Sequence, residues 1–193
     1  MKLDRLFVFF LLPVFLFGSA AVRAQGGGFY LGGALGQSKF KEWCDTGGVT
    51  TFRLANCEDT GTSWKILGGY RFNRYLAAEA TYIDWGEVTA TVLGGAQPAD
   101  VAADQRSYGL AAVGTIPLGE RLELFGKAGF LQTDQDTRRI RPNPSTVSRD
   151  ETELHYGLGV KYAFTRNWAL RGEWENTDKL KVEMLSIGVE YRF

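Results

Sequence analysis

The sequence holds almost none of the side chains from which metal centres and nucleophilic active sites are built: one histidine, His155, and two cysteines, Cys44 and Cys57, among 193 residues. A structural zinc site takes about four Cys or His ligands, and a nucleophilic triad needs a base, a nucleophile and an orienting group within reach of one another. No metal, cofactor or catalytic centre is therefore assigned. An excess of one charge is also missing, since 22 Lys and Arg balance 22 Asp and Glu, and no nucleic-acid footprint is present. After Gly18 every apolar run falls short of the roughly 20 residues that a spanning helix requires. If the exported chain enters a membrane, it enters as a β-barrel.

What is present begins with the N-terminus. Lys2 and Arg5 precede an uncharged run from Leu6 to Gly18, then small residues up to Val22-Arg23-Ala24. A basic start, a short apolar core and a small residue at the cut describe a secretory signal peptide. The core, interrupted by Pro13, is too short for a membrane anchor. The expectation is a signal peptide over 1–24, with Ala20 or Ala21 as alternative cleavage points, and a single domain over 25–193. Removing 1–24 takes away Lys2, Arg5, Arg23 and Asp4 and leaves 19 basic against 21 acidic residues. Export to an oxidising compartment makes a Cys44–Cys57 disulfide the expected state. Closing that loop removes denatured-state entropy worth about 3 kcal/mol.

The exported part repeats a two-residue alternation in segments of about nine residues. Leu154, Tyr156, Leu158, Val160, Tyr162 and Phe164 are large and apolar, and the residues between them are small or polar. Leu185, Ile187, Val189, Tyr191 and Phe193 repeat the pattern at the C-terminus, as do Trp64 to Phe72, Leu76 to Tyr82 and Trp168 to Trp174. Phe29 to Gly36 and Tyr108 to Ile116 follow it less cleanly. Leu122 to Leu131 is the weakest, because Phe125 and Leu131 fall on the polar side.

The charged positions Lys65, Arg71, Glu79, Glu123, Lys127, Lys161, Arg171, Glu173, Glu190 and Arg192 all lie opposite the apolar face. A Lys or Arg on a lipid-facing strand costs about 2 to 4 kcal/mol at mid-membrane, so a bilayer enforces this segregation. The Gly, Ala and Ser of the other face suit a narrow lumen better than a water-exposed surface. Aromatic residues recur at the segment ends, as interfacial girdles require: Phe29, Tyr30, Trp64, Phe72, Tyr75, Tyr82, Trp85, Phe164, Trp168, Trp174, Tyr191 and Phe193. Short connections at Asn73-Arg74, Leu118 to Arg121 and Thr165 to Asn167 alternate with longer polar ones at 41–61, 86–106, 132–152 and 175–182. The expected fold is all-β: an eight-stranded antiparallel up-and-down transmembrane barrel with four long external loops, three short periplasmic turns and both termini in the periplasm.

The segments Gly68-Gly69-Tyr70-Arg71-Phe72-Asn73, Pro117 to Gly129 and Gly157 to Asn176, together with Glu79, resemble the OmpA-type transmembrane domain and its small outer-membrane relatives over nearly the whole exported chain. The ending, with Gly188, Tyr191 and a terminal Phe193, resembles the signal by which the barrel-assembly machinery recognises its clients. The resemblance implies that Glu79 and Arg171 form a lumenal acid–base pair of the kind implicated in gating. The chain departs from that pattern where Val113 replaces a lumenal Lys and Lys161 replaces a second Glu. Relatives often add a peptidoglycan-binding domain, whose activity is expected to be absent from a chain ending at Phe193.

The expected site is a lumenal charge network of Glu79, Lys127, Lys161, Arg171 and Glu173. In so narrow an interior, removing one partner strands another at about 3 to 5 kcal/mol. His155 shares the parity of Lys161 and points inward, and position 157, where a lipid hydrolase would need its serine, is Gly. Asp134, Asp136, Asp150 and Glu151 do not fit an EF-hand spacing. Gly32-Gly33-Ala34-Leu35-Gly36 lacks the Lys-Ser/Thr of a phosphate loop. Arg138, Arg139 and Arg141 in the third external loop are candidates for contact with an anionic ligand.

The functional expectation is a non-enzymatic, monomeric outer-membrane barrel with a structural or surface-contact role through its loops. Its partners are outer-membrane lipid and lipopolysaccharide, the assembly machinery, and a host or surface ligand. A narrow pore is the alternative, and a surface lipid-modifying enzyme the more remote one.

Overall fold

The computed structural model describes residues 27–41, 53–55, 59–93, 99–139, 145–179 and 181–193. The expected signal peptide over 1–24, Cys44, Cys57 and Arg141 lie outside the described residues. The elements are β1 (Gly28–Phe40), β2 (Arg53–Ala55), β3 (Thr60–Arg71), β4 (Leu76–Leu93), β5 (Ala99–Pro117), β6 (Leu122–Arg139), β7 (Ser145–Ala163), β8 (Trp168–Thr177) and β9 (Val182–Arg192). Every pairing is antiparallel: β3 to β9 pair in chain order, β1 pairs with β3, and β1 pairs with β9 to close the sheet. The three-residue β2 pairs with the far end of β4, beyond the reach of β3, so β2 and β3 occupy one of eight positions around the barrel.

Register sets the shape. The pairings lead from Gly28 through Arg71, Ala77, Val113, Lys127, Gly157, Glu175 and Met184 back to β1 at Ser38. This stagger of about ten residues, at ~3.3 Å per residue against eight strands spaced ~4.7 Å, tilts the strands by about 40°. A barrel of that size has an interior that side chains fill.

The two faces divide as the alternation requires. Leu35, Leu110, Ile116, Phe130, Leu158, Leu185 and Ile187 are 60% or more exposed, a surface that only hydrocarbon covers without penalty. Aromatic pairs ring both ends of this band. At the end of the short turns, Phe29 packs on Tyr70, Tyr70 on Phe72, Trp168 on Tyr191 and Tyr191 on Phe193, with centroids 4.9 to 5.4 Å apart. At the other end Trp64 packs on Tyr82 and Tyr156 on Trp174. Two residues expected in the girdles, Tyr30 and Trp85, instead point inward and are buried, and Phe125 and Leu131 are buried beside them. The interior therefore holds two apolar clusters: Phe40, Ile83, Trp85, Ala103, Leu131, Val182 and Met184 towards the outer mouth, and Tyr30, Leu67, Ala77, Val113 and Phe125 towards the short turns.

Local chemistry shapes the ends. Asn73 Oδ1 accepts the backbone N–H of Tyr75 and of Leu76 at 2.8 and 2.9 Å, and Thr165 Oγ1 does the same for Asn167 and Trp168, closing two tight turns. In β4 a bulge between Asp84 and Gly86 shifts the register against β5. Gly86 has φ +83°, and a Cβ there would run into the Thr62 backbone.

The segments 86–106 and 132–152, expected as loops, are largely strand: β4 to β7 run far past the outer girdle, while β1, β3, β8 and β9 end near it. Valine and threonine are frequent there (Val88, Thr89, Thr91, Val92, Val101), which favours strand. In water neither face must be apolar, so the alternation that reveals a membrane strand is lost.

A Leu158→Arg substitution, which places a cation between the girdles, is expected to lower the unfolding free energy in vesicles by about 2 to 4 kcal/mol. Chemical denaturation of protein folded into vesicles checks it, with a loss below ~1 kcal/mol contradicting the placement of the bilayer.

Candidate functional site

Consecutive inward positions of neighbouring strands face one another across the narrow lumen, so charged residues of the right parity meet without any loop to bring them together. Arg171 on β8 is the centre. Its guanidinium donates to Glu79 on β4 through both terminal nitrogens at 2.7 and 3.0 Å, and to Glu173 through Nε at 3.0 Å. It also reaches Glu190 on β9 at 3.4 Å. Such a two-pronged pairing is the geometry for which a planar guanidinium is suited.

Above it, Lys127 on β6 reaches Glu173 at 2.7 Å, Glu175 at 2.6 Å and Glu79 at 3.4 Å. Lys65 on β3 bridges Glu173, at 2.6 Å, and Glu175. Below it, Lys161 on β7 holds Glu190 at 2.6 Å. All of these side chains are buried. Isolated charges in such a place would be prohibitively costly, and the sharing of each carboxylate between two or more cations is what makes the interior tolerable.

Aromatic rings complete the lower layer. The Lys161 ammonium lies 5.0 Å from the centroids of both Tyr30 and Phe125, and the Arg171 guanidinium lies 4.4 Å from Phe125. Tyr30 donates its hydroxyl to Glu79 at 3.0 Å. Tyr30 is cross-strand partner to Gly69, and Phe125 to Gly159. A Cβ on either glycine would collide with the ring lying over it. These glycines leave the space in which the rings lie flat. At the mouth beside the short turns, Glu123 is shared by Arg71 and Arg192, both half-buried.

The structure thus brings together Glu79, Lys127, Lys161, Arg171 and Glu173, and adds Lys65, Glu175, Glu190 and Tyr30. Glu175 falls in the segment 175–182 expected as a loop, but it lies on β8 and its parity with Glu173 places it on the same inner wall. His155 is buried and donates from Nε2 to Glu175 Oε1 at 3.0 Å, the same oxygen that Lys127 occupies. It belongs to the ion network. A separate chain of hydrogen bonds joins Trp85 Nε1, Ser107, Thr133 and Glu153 across four strands at 2.6 to 2.7 Å. Among the described residues no group of three or more His, Cys, Asp or Glu side chains is placed to hold a metal ion.

Val113 lies in the lower apolar cluster. Gly188 lies opposite Arg171, Tyr191 packs between Trp168 and Phe193, and the Phe193 N–H donates to the carbonyl of Phe29 at 3.1 Å. Arg138 and Arg139 are the last two residues of β6.

Against known proteins, the sequence profile of the outer membrane protein beta-barrel domain matches residues 9–193. Outer membrane protein A of Yersinia pseudotuberculosis is 31% identical over 190 residues, which cover 86% of this chain and 48% of that protein, so the chain spans about half the length of the relative. Among solved structures, the outer membrane protein OprG of Pseudomonas aeruginosa superposes with a TM-score of 0.60 at 16% identity, covering 88% of this chain and 96% of the other. Ail, the attachment invasion locus protein of Yersinia pestis, gives 0.54 at 18% identity, covering 88% and 99%. At these identities the structural likeness speaks for the fold alone.

Replacing Arg171 with Ala strands the carboxylates of Glu79 and Glu173 and is expected to cost about 3 to 5 kcal/mol of stability. Arg171→Lys, which restores the charge without the fork, should recover part of it. Denaturant unfolding of the two variants in detergent checks this, and an Arg171→Ala protein as stable as the parent would show that the network does not hold the barrel together.

Proposed function

The chain belongs to the outer membrane protein beta-barrel domain family and resides in the outer membrane, and from that premise we propose that it is a surface-contact barrel whose working part is the sheet standing outside the bilayer. One observation carries this reading: β4 to β7 continue well beyond the outer aromatic row. From Tyr82 to Leu93, at ~3.3 Å per residue and ~40° of tilt, β4 rises roughly 27 Å above the girdle.

Hydrogen-bonded strands are a rigid way to present residues at that distance, whereas flexible loops lose conformational entropy when they bind. The plugged interior supports the same reading. A solute would have to displace both apolar clusters and the ion network between them, which counts against the pore alternative. His155 is engaged with Glu175, so the geometry offers no support for a lipid-modifying enzyme. That the Yersinia pestis neighbour is named an attachment invasion locus protein agrees with a role in adhesion or host contact.

The test is to shorten both hairpins, joining Asp84 to Arg106 and Asp134 to Asp150 through Asn-Gly turns, and to express the result on cells. The barrel should keep its heat-modifiable gel mobility while adhesion of the cells to epithelial monolayers falls to background. Adhesion equal to that of cells carrying the parent would overturn the proposal.

A further inference from the structure

The outer sheet has two edges, and they differ. On β4, β3 covers the bulge, since Gly61 lies against the carbonyls of Trp85 and Glu87, and β2 pairs with residues 91–93. On β7, pairing with β8 stops at His155, although β7 begins at Ser145. Among the described residues no strand pairs with β7 above that point.

The direction of the backbone groups along this edge follows from two contacts. The carbonyl of Leu154 accepts the N–H of Asp178 at 3.1 Å, and that of Thr152 accepts Lys179 Nζ at 2.7 Å. Peptide groups of alternate residues point to the same side of a strand. The N–H and C=O groups of Asp150, Ser148 and Thr146 therefore point away from β6, in the geometry that an added strand would meet.

Charge along the edge selects the partner. Asp150 is directly opposite Asp134 on β6, and Asp136 stands one row higher on the same face of β6. Like charges directly opposite each other destabilise a sheet. Arg106, across from Asp134 on β5, leans the other way, to 3.6 Å from Asp84. A strand added beside β7 would set a side chain about 5 Å from Asp150. A lysine or arginine there relieves the repulsion. Arg138 and Arg139 lie higher, across from Thr146 and Ser145, so the preference for a cation belongs to the partner position facing Asp150.

We propose that the outer half of β7 captures an extended, lysine- or arginine-bearing segment of a partner protein as an added strand of the surface sheet. This rests on the surface-contact reading above and specifies its mode.

The test uses the full protein folded in detergent micelles and two dye-labelled dodecapeptides, one alternating Thr and Lys, the other Thr and Glu, followed by fluorescence anisotropy at low salt. The Thr–Lys peptide should bind, and the Thr–Glu peptide should bind at least tenfold more weakly. Ser148→Pro removes an edge N–H and no bond to β6, and is expected to weaken binding tenfold or more; Asp150→Asn should weaken it severalfold. If Ser148→Pro fails to fold, a Thr–Lys peptide N-methylated at alternate residues makes the same test on the unaltered protein. No binding of the Thr–Lys peptide, equal binding of the two peptides, or binding indifferent to Ser148→Pro or to N-methylation overturns the proposal. The two readings separate on cells: adhesion lost with shortened hairpins but intact with Ser148→Pro sinks strand addition alone, and adhesion intact with both sinks the surface-contact reading.

Discussion

Hydrocarbon offers no hydrogen bonds, so a sheet inside a bilayer must satisfy every backbone N–H and C=O within itself, and the pairing of β1 with β9 is the step that does so. The other features of the barrel follow from that closure. Eight positions and a stagger of about ten residues leave an interior only a few side chains wide. Within the closed sheet the pleat sends alternate residues to lipid and to lumen along the membrane-spanning part of each strand. Closure also makes the inner wall a meeting place, because residues far apart in sequence, such as Glu79 and Arg171, are brought to bonding distance by strand order alone.

Inside, the lack of room for water imposes a second rule. Each buried charge has to find its partner among the residues of the facing walls. The result is a network in which Arg171 and Lys127 each reach three carboxylates and no single pair is independent of the rest. The rings of Tyr30 and Phe125 and the glycines beneath them belong to the same solution. They occupy the space that water would otherwise take, and they present π faces to Lys161 and Arg171. With apolar clusters above and below it, the network acts as internal packing that happens to be ionic.

Outside the bilayer the closure rule is lifted, since water satisfies exposed backbone groups. There the barrel opens: among the described residues β4 to β7 continue while β1, β3, β8 and β9 end near the girdle, and no strand pairs with β7 above His155. The part of the molecule least constrained by the membrane is thus the part with most freedom to specify a partner, and the plugged barrel below supplies a stiff base for it.

The alternation of large apolar residues along Leu154 to Phe164 and Leu185 to Phe193 sufficed to establish strand type, lipid-facing parity and the antiparallel barrel, because a two-residue period is a local property imposed by lipid on one face. The same parity placed Glu79, Lys127, Lys161, Arg171 and Glu173 on the inner wall. It could not assign partners, since which strands stand opposite, and at what height, depends on the register of all eight. Tyr30, Trp85, Phe125 and Leu131 show the limit most clearly. By type they belong with the girdles or the lipid face; parity already sets Phe125 and Leu131 on the polar side, but only the packing of the closed lumen, with Gly69 and Gly159 opened beneath the rings of Tyr30 and Phe125, shows how such large side chains find room inside. The strands beyond the outer girdle were hidden for the complementary reason: in water no face must be apolar, so their sequence carries no period, and the strand preference of their valines and threonines becomes decisive only through tertiary pairing.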